Sequence, residues 1–158
     1  MRRAQGFTMV ELIVVIVLMG IIAAVGIPKL MSDNSTAASA FGNQVVSALR
    51  YASKSAVAHR RLVCANVAAQ AVTLTIARSA NATGCNNVAL GALSSDPYAT
   101  SDTDISAGGL IGDLYFQPDG TVTSDGAGSV PVRGNITITA QGTVMRTIQV
   151  EGSTGYVN

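Results

Sequence analysis

From Leu12 to Ile27 the chain has no polar side chain, only Ile, Val, Leu, Met, Ala and Gly. Counted from Phe7, the run offers roughly 20 residues, about 30 Å of helix, which is the hydrocarbon thickness of a bilayer. Gly20, Gly26 and Pro28 weaken that helix. A proline inside a helix removes one backbone hydrogen bond and clashes with the preceding turn, so a bend near Val25 to Pro28 is expected. The run Ser32-Asp33-Asn34-Ser35-Thr36 consists of poor helix formers. It reads either as a local melt or as a polar patch on a continuous helix. A helical period then returns, with Phe41, Val45, Ala48, Leu49, Ala52 and Ala56 three and four apart on one apolar stripe. Asn43, Ser47, Arg50 and Lys54 fall mostly elsewhere. This pattern predicts a helix laid on a sheet and ended by His59-Arg60-Arg61, where cations suit the negative end of the helix dipole.

After that the period is two. Leu62 to Val67 and Val72 to Ala77 read as strands joined by the turn Ala68-Ala69-Gln70-Ala71. Asn81 to Asn87 is a loop and Val88 to Leu93 a short strand. Ser94 to Gly109, with its Asp, Pro, Ser and Gly-Gly, reads as surface loop. Ile111 to Phe116 is a strand, Pro118-Asp119-Gly120 a turn, Thr121 to Thr123 a short return, and Asp125-Gly126-Ala127-Gly128 another turn. Asn135 to Ala140 and Val144 to Val150 alternate around Gln141-Gly142-Thr143 as a strong hairpin. Gly155-Tyr156-Val157 closes the series. The predicted fold class is α+β: one long bent N-terminal helix whose second half packs on an antiparallel sheet of about six to eight strands.

Length and charge narrow the function. The 158 residues allow one domain plus the N-terminal helix. The net charge of +1 gives no whole-chain field for nucleic acid or anionic membrane. His59 is the only histidine and has no Cys, His or Asp cluster around it in sequence, so it reads as a solvated cap. There is no Ser-His-Asp or Cys-His arrangement, no Gly-x-Ser-x-Gly and no phosphate loop, which argues against an enzyme. Cys64 and Cys85 are too few and wrongly spaced for a metal cluster. Asp96, Asp102 and Asp104 could offer oxygens to calcium, but they lack both EF-hand spacing and a closing long carboxylate; a solvated loop is the better reading. No cofactor and no metal are expected.

The N-terminus carries the sharpest signal. The leader Met1-Arg2-Arg3-Ala4-Gln5 has two arginines and no acid, and Glu11 is the one charge at the start of the apolar run. A lone carboxylate in a membrane segment is costly unless neutralised or paired. A plain signal anchor explains the arginines but gives Glu11 no task. An ordinary secretory signal would be cut after Ala24-Val25-Gly26. The third reading cuts between Gly6 and Phe7 and keeps the helix. Gly6-Phe7-Thr8-x-x-Glu11 ahead of a long apolar run resembles the class III signal of type IV pilins and type II secretion pseudopilins, and Pro28 falls at that family's helix-kinking proline.

The resemblance implies that a prepilin peptidase removes residues 1–6 and methylates Phe7. It also implies that residues 7–30 hold the subunit in the inner membrane until assembly, with 31–61 as the amphipathic half of the helix and 62–158 as a β-rich globular domain. Thr8 and Glu11 become assembly residues. In a filament Glu11 would face a neighbour's Phe7 ammonium, a pair that in low dielectric attracts strongly while either partner alone is costly. The partners implied are other pilin or pseudopilin subunits. With the domain in the periplasm, Cys64 and Cys85 can form a disulfide; two buried free thiols are the alternative.

The second half narrows the resemblance. Phe116-Gln117-Pro118-Asp119-Gly120-Thr121-Val122, the Thr/Ile hairpin and the end from Ile148 to Val157 are similar to the C-terminal domain of GspH/FimT-type minor pilins. Minor subunits of the mannose-sensitive haemagglutinin type share the layout. Some FimT-like pilins bind DNA through a basic tail. Here only Arg133 and Arg146 are available beside Glu151, too few phosphate contacts for useful affinity, so no nucleic acid is expected. The expected role is a structural subunit of a type IV pilus or a secretion pseudopilus. The alternative is an anchored or secreted β-domain acting as an adhesin through the polar loops around Asp96 to Gly109.

Overall fold

The structure is a computed structural model that describes residues 8–30, 33–85, 88–90 and 98–158, with residues 25–30 and 33 described as backbone only. The chain divides into two compact units, Met1–Asp33 and Asn34–Asn158.

The first unit is helix α1, Met9–Leu30. Helical backbone continues through Gly20, Gly26 and Pro28, so none of the three ends it.

Helix α2 spans Asp33–His59. Of the polar run at its start, Asp33 to Thr36 is helical, which favours the polar patch over the melt; Ser32 lies outside the described residues. The predicted stripe, Phe41, Val45, Ala48, Leu49, Ala52 and Ala56, is fully buried, and Ala38 and Val46 join it. The helix ends where the cations predicted, through a backbone device. Arg60 takes a left-handed φ of 50°. Its N–H donates to the Val57 carbonyl at 3.3 Å, and the Arg61 N–H donates to Ala56 at 3.2 Å. These two bonds satisfy carbonyls that a helix end otherwise leaves unpaired.

Nine strands follow among the described residues: β1 Val63–Val67, β2 Val72–Ile76, β3 Val88–Ala89, β4 Ile105–Gly109, β5 Gly112–Phe116, β6 Val122–Thr123, β7 Arg133–Ala140, β8 Thr143–Glu151 and β9 Tyr156–Val157. They form two antiparallel sheets where one was expected, ordered β3-β2-β1-β5-β6 and β4-β7-β8-β9. A single core joins α2 to both. Phe41, Val45 and Leu49 from the helix, Val63, Leu74 and Phe116 from the first sheet, and Ile105, Ile136, Ile138 and Ile148 from the second share one buried cluster. Burial of this kind contributes roughly 1.5–3 kcal/mol per large side chain.

One expectation is corrected. Ser94 to Gly109 is not all loop, because β4 occupies its end, pairs with β7 and buries Ile105 and Ala107. Alternation was present in Ile105-Ser106-Ala107, but Asp and Gly-Gly on either side masked it. Gly109 is there for a steric reason: its φ is +79°, and a Cβ would sit 2.4 Å from the Asn135 carbonyl oxygen. The β7–β8 hairpin turns on Gln141 and Gly142, both with positive φ (49° and 77°), the geometry of a tight two-residue turn.

Candidate assembly site

The first turn of α1 is organised by Thr8 and Glu11. The Thr8 N–H donates to Glu11 Oε2 at 3.0 Å, the Thr8 hydroxyl donates to the same oxygen at 3.1 Å, and the Glu11 N–H donates to Thr8 Oγ1 at 3.3 Å. This is a reciprocal capping box, in which residues three apart satisfy each other's orphan backbone donors. The carboxylate also lies at the positive end of the helix dipole. Thr-x-x-Glu is itself the sequence signature of such a box. Glu11 thus has a task within a single helix. A carboxylate has about four lone-pair sites, so holding Thr8 leaves capacity for a cation as well. Gly6 and Phe7, the predicted cleavage and methylation positions, lie outside the described residues.

The rest of α1 offers apolar surface. From Met9 to Ile22 every large hydrophobic residue is exposed, from 45% at Val15 to 81% at Met9. Packing among the described residues of this unit therefore gives these side chains no cover. Among the described residues no helix is long and apolar enough to cross a membrane. In α1 the side chains are described only from Met9 to Ala24, which is shorter than the ~20 residues a span needs.

Cys64 and Cys85 are disulfide-bonded, 21 residues apart in sequence. Cys64 is buried with Leu62 and Ala77 in a small second cluster against which Cys85 packs. The bridge fixes the loop that follows β2, and that loop is crowded by the Asp125 turn: a Cβ on Gly126 would collide with the Thr83 carbonyl. Asp125 braces its own turn by accepting the Ser129 and Val130 N–H groups at 3.0 and 2.8 Å. Those bonds, Ser129 first, hold its carboxyl below the usual aspartate value. Asp119 is lowered in the same way by the Thr121 N–H and then the Thr121 hydroxyl.

The other candidates do not converge. His59 is exposed at the end of α2. Asp96 lies outside the described residues. Asp102 accepts the Asp104 N–H at 2.9 Å, a local turn bond, and Asp104 faces Gln141 Nε2 at 3.5 Å. No cluster of three or more metal-ligating side chains occurs among the described residues.

Two positioning features left little trace in the sequence. The Arg50 guanidinium donates through Nε and Nη2 to the Val157 carbonyl at 3.1 and 2.9 Å, tying β9 to α2. Gly152 sits where the sheets meet. Its N–H donates to the Val132 carbonyl at 2.6 Å, and its carbonyl accepts the Val122 N–H at 2.8 Å.

Residues 1–27 match the family described as the prokaryotic N-terminal methylation motif. No curated protein matches the chain. Among solved structures, the chain is similar to the type IV minor pilin FimU of Pseudomonas aeruginosa strain PAO1. In one crystal form the identity is 15% over 81% of this chain and 88% of that one, with a TM-score of 0.50. In a second crystal form the identity is 16%, the coverage 78% and 89%, and the TM-score 0.47. The fold is therefore that of a pilin: an N-terminal helix in two pieces and an α+β domain of antiparallel sheets. The motif implies a chain first anchored in a membrane and then assembled with others of its kind.

Proposed function

We propose that the protein is a minor pilin or pseudopilin, a structural subunit that joins a type IV pilus or a related pseudopilus through α1. The observation that carries this reading is the methylation motif over residues 1–27, which takes in most of a helix whose apolar side chains are uncovered and whose first turn presents Glu11. Such a surface needs lipid before assembly and neighbouring helices after it.

In this reading a prepilin peptidase cuts between Gly6 and Phe7 on the cytoplasmic side and methylates Phe7. The helix holds the subunit in the inner membrane with the disulfide-bonded domain in the periplasm, and Gly20 and Pro28 let the helix bend as it packs. Glu11 serves twice. The capping box shapes the first turn in every subunit, and the carboxylate then pairs with the Phe7 ammonium of a neighbour, which sets axial register. The role is structural and not catalytic.

The test is the intact mass and N-terminal sequence of the protein extracted from its own membranes. A chain starting at methylated Phe7 is expected. A start at Ile27, or retention of Met1, would replace this reading with a secreted or simply anchored β-domain.

A further inference from the structure

The outer face of the second sheet carries a set of side chains that the fold only partly uses. Residues two apart on a strand share a face. Ile136, Ile148 and Val150 point into the core, so Arg133, Asn135, Gln149 and Glu151 point away from it. The ladder sorts these outward residues into two rows. Arg133 stands opposite Glu151, and Glu151 opposite Tyr156. Asn135 stands opposite Gln149, and the Gln149 N–H and C=O both bond the backbone of Asn158, which puts Asn158 third in that row. The register shift of this hairpin lies at Ile138/Thr139, beyond the array. Rows on one face lie about 6.8 Å apart and strands about 4.8 Å apart. A cavity of about 330 Å³ lies over the array, with Arg133, Asn135, Gln149, Glu151 and Tyr156 in its lining. That volume is at the lower end of what small-ligand sites enclose.

Strand pairing accounts for part of this set. Arg133 Nε and Nη2 reach Glu151 Oε1 at 3.1 and 3.0 Å, a cross-strand ion pair of the kind that steadies a hairpin. Three features are left over. The amides of Asn135 and Gln149 stand opposite each other, yet bond neither each other nor another side chain among the described residues. Glu151 Oε2 takes no bond there either, because Arg133 and the Ser153 hydroxyl both use Oε1. The Tyr156 ring is 54% exposed, although the next residue, Val157, is buried. A second cavity, beside the disulfide, differs on each count. Its amide, Asn66, is bonded to Asp113, and its ring, Tyr115, packs against the cluster around Cys64.

We propose that the face formed by Arg133, Asn135, Gln149, Glu151 and Tyr156 binds a neutral sugar residue. The chemistry of the free groups selects the class. Arg133 and Glu151 cancel, so an anion or a cation gains no net attraction. A carboxamide offers a donor and an acceptor side by side, and the free Glu151 oxygen accepts. Adjacent hydroxyls, each able to donate and to accept, answer both. An apolar ligand would instead leave those groups unpaired under it. The negative face of the Tyr156 ring suits the weakly positive C–H side of a sugar. A peptide strand has nothing to pair with here, because β8 is flanked by β7 and β9 at Val150 and Glu151. The site belongs to the domain, goes beyond the assembly role and does not rest on it.

The experiment titrates the full chain, nitrogen-15 labelled and held in phospholipid nanodiscs, with methyl glucoside, methyl galactoside, cellobiose and lactose. It follows the side-chain NH2 signals of Asn135 and Gln149 by NMR. Saturable shifts of both signals with at least one of these sugars are expected, with a Kd of about 1 mM for so small a ligand on an open site. Tyr156→Ala should weaken binding about tenfold, and Tyr156→Phe, which keeps the ring, should restore most of it. Gln149→Ala should weaken binding without lowering the melting temperature, which separates loss of the site from loss of the fold. Three results would overturn the proposal: no saturable shift with any of the four sugars, shifts that survive both Tyr156→Ala and Gln149→Ala, or tighter binding of a single-stranded oligothymidylate than of any sugar. None of them bears on processing at Phe7 or on assembly.

Discussion

Helix α1 and the unit from Asn34 onward solve opposite problems. The later unit buries Phe41, Leu49, Phe116 and Ile148 against one another and keeps its polar groups in turns, caps and ladders. It has what a folded domain needs inside itself. α1 leaves Leu12, Ile16 and Ile22 uncovered and organises only its first turn, through Thr8 and Glu11. A helix of this kind is stable only in company, whether of lipid or of other helices. The contrast means that substitutions should separate cleanly. Changes in α1 should alter where the protein goes and not how it melts, and changes in the domain should do the reverse.

The largest separation is expected at Glu11. Glu11→Ala should leave cleavage at Gly6 in place and the domain's melting temperature unaltered while filament incorporation collapses, as read from sheared filament fractions. Glu11→Gln sharpens the point, since Gln serves at this position of a capping box but carries no charge. If Gln restores incorporation, the cap is what matters and the register pairing with Phe7 is wrong.

Gly152→Ala should be the strongest change on the other side. A Cβ there would lie 2.1 Å from the Val122 carbonyl oxygen and 2.5 Å from the backbone N and O of Val132. Backbone atoms cannot yield as a flexible side chain can, so a loss of about 3 kcal/mol or more is expected in denaturant melts. Processing at Phe7 should be unaffected. The disulfide comes next. Opening a loop of 21 residues by Cys64→Ser with Cys85→Ser should cost about 3 kcal/mol on the chain-entropy account.

The smallest effect is a pH dependence. Asp119 and Asp125 titrate below the ordinary aspartate value of 3.8 in the folded protein. A lowered folded value means their contribution is complete above the unfolded value and is lost as the pH falls through the folded one. Melting temperatures should therefore decline below about pH 4, and Asp125→Asn should flatten part of that decline.

The elements that were legible in the sequence are those with a strong local period. The Phe41–Ala56 stripe, the β1–β2 hairpin and the β7–β8 hairpin each combine alternation or a 3.6-residue repeat with a turn signal, and local patterning sufficed. Thr8 and Glu11 stand out in the sequence as a motif, and the structure adds that they bond to each other. β4 was missed because its register is imposed by β7, not by its own Gly-rich composition. The division into two sheets was missed for a related reason. It is marked by Gly152 bonding to both Val122 and Val132, contacts that no short window of sequence contains. Arg50 looked like any exposed helix cation, and nothing near it announces Val157.

That last bond has a consequence in time. Arg50 and Val157 are 107 residues apart. A chain that emerges N-terminus first delivers α2 long before the residue that locks it. Until Val157 and Asn158 have emerged, β9 is missing, the outward N–H and C=O of Gln149 have no partner, and the outer side of β8 is open to whatever strand is nearby. Closure of the domain thus waits on a residue far downstream of the helix it locks. A chain truncated near Gln149 is expected to be protease-sensitive and prone to bind extended peptides, and a chain that includes Val157 and Asn158 should be neither.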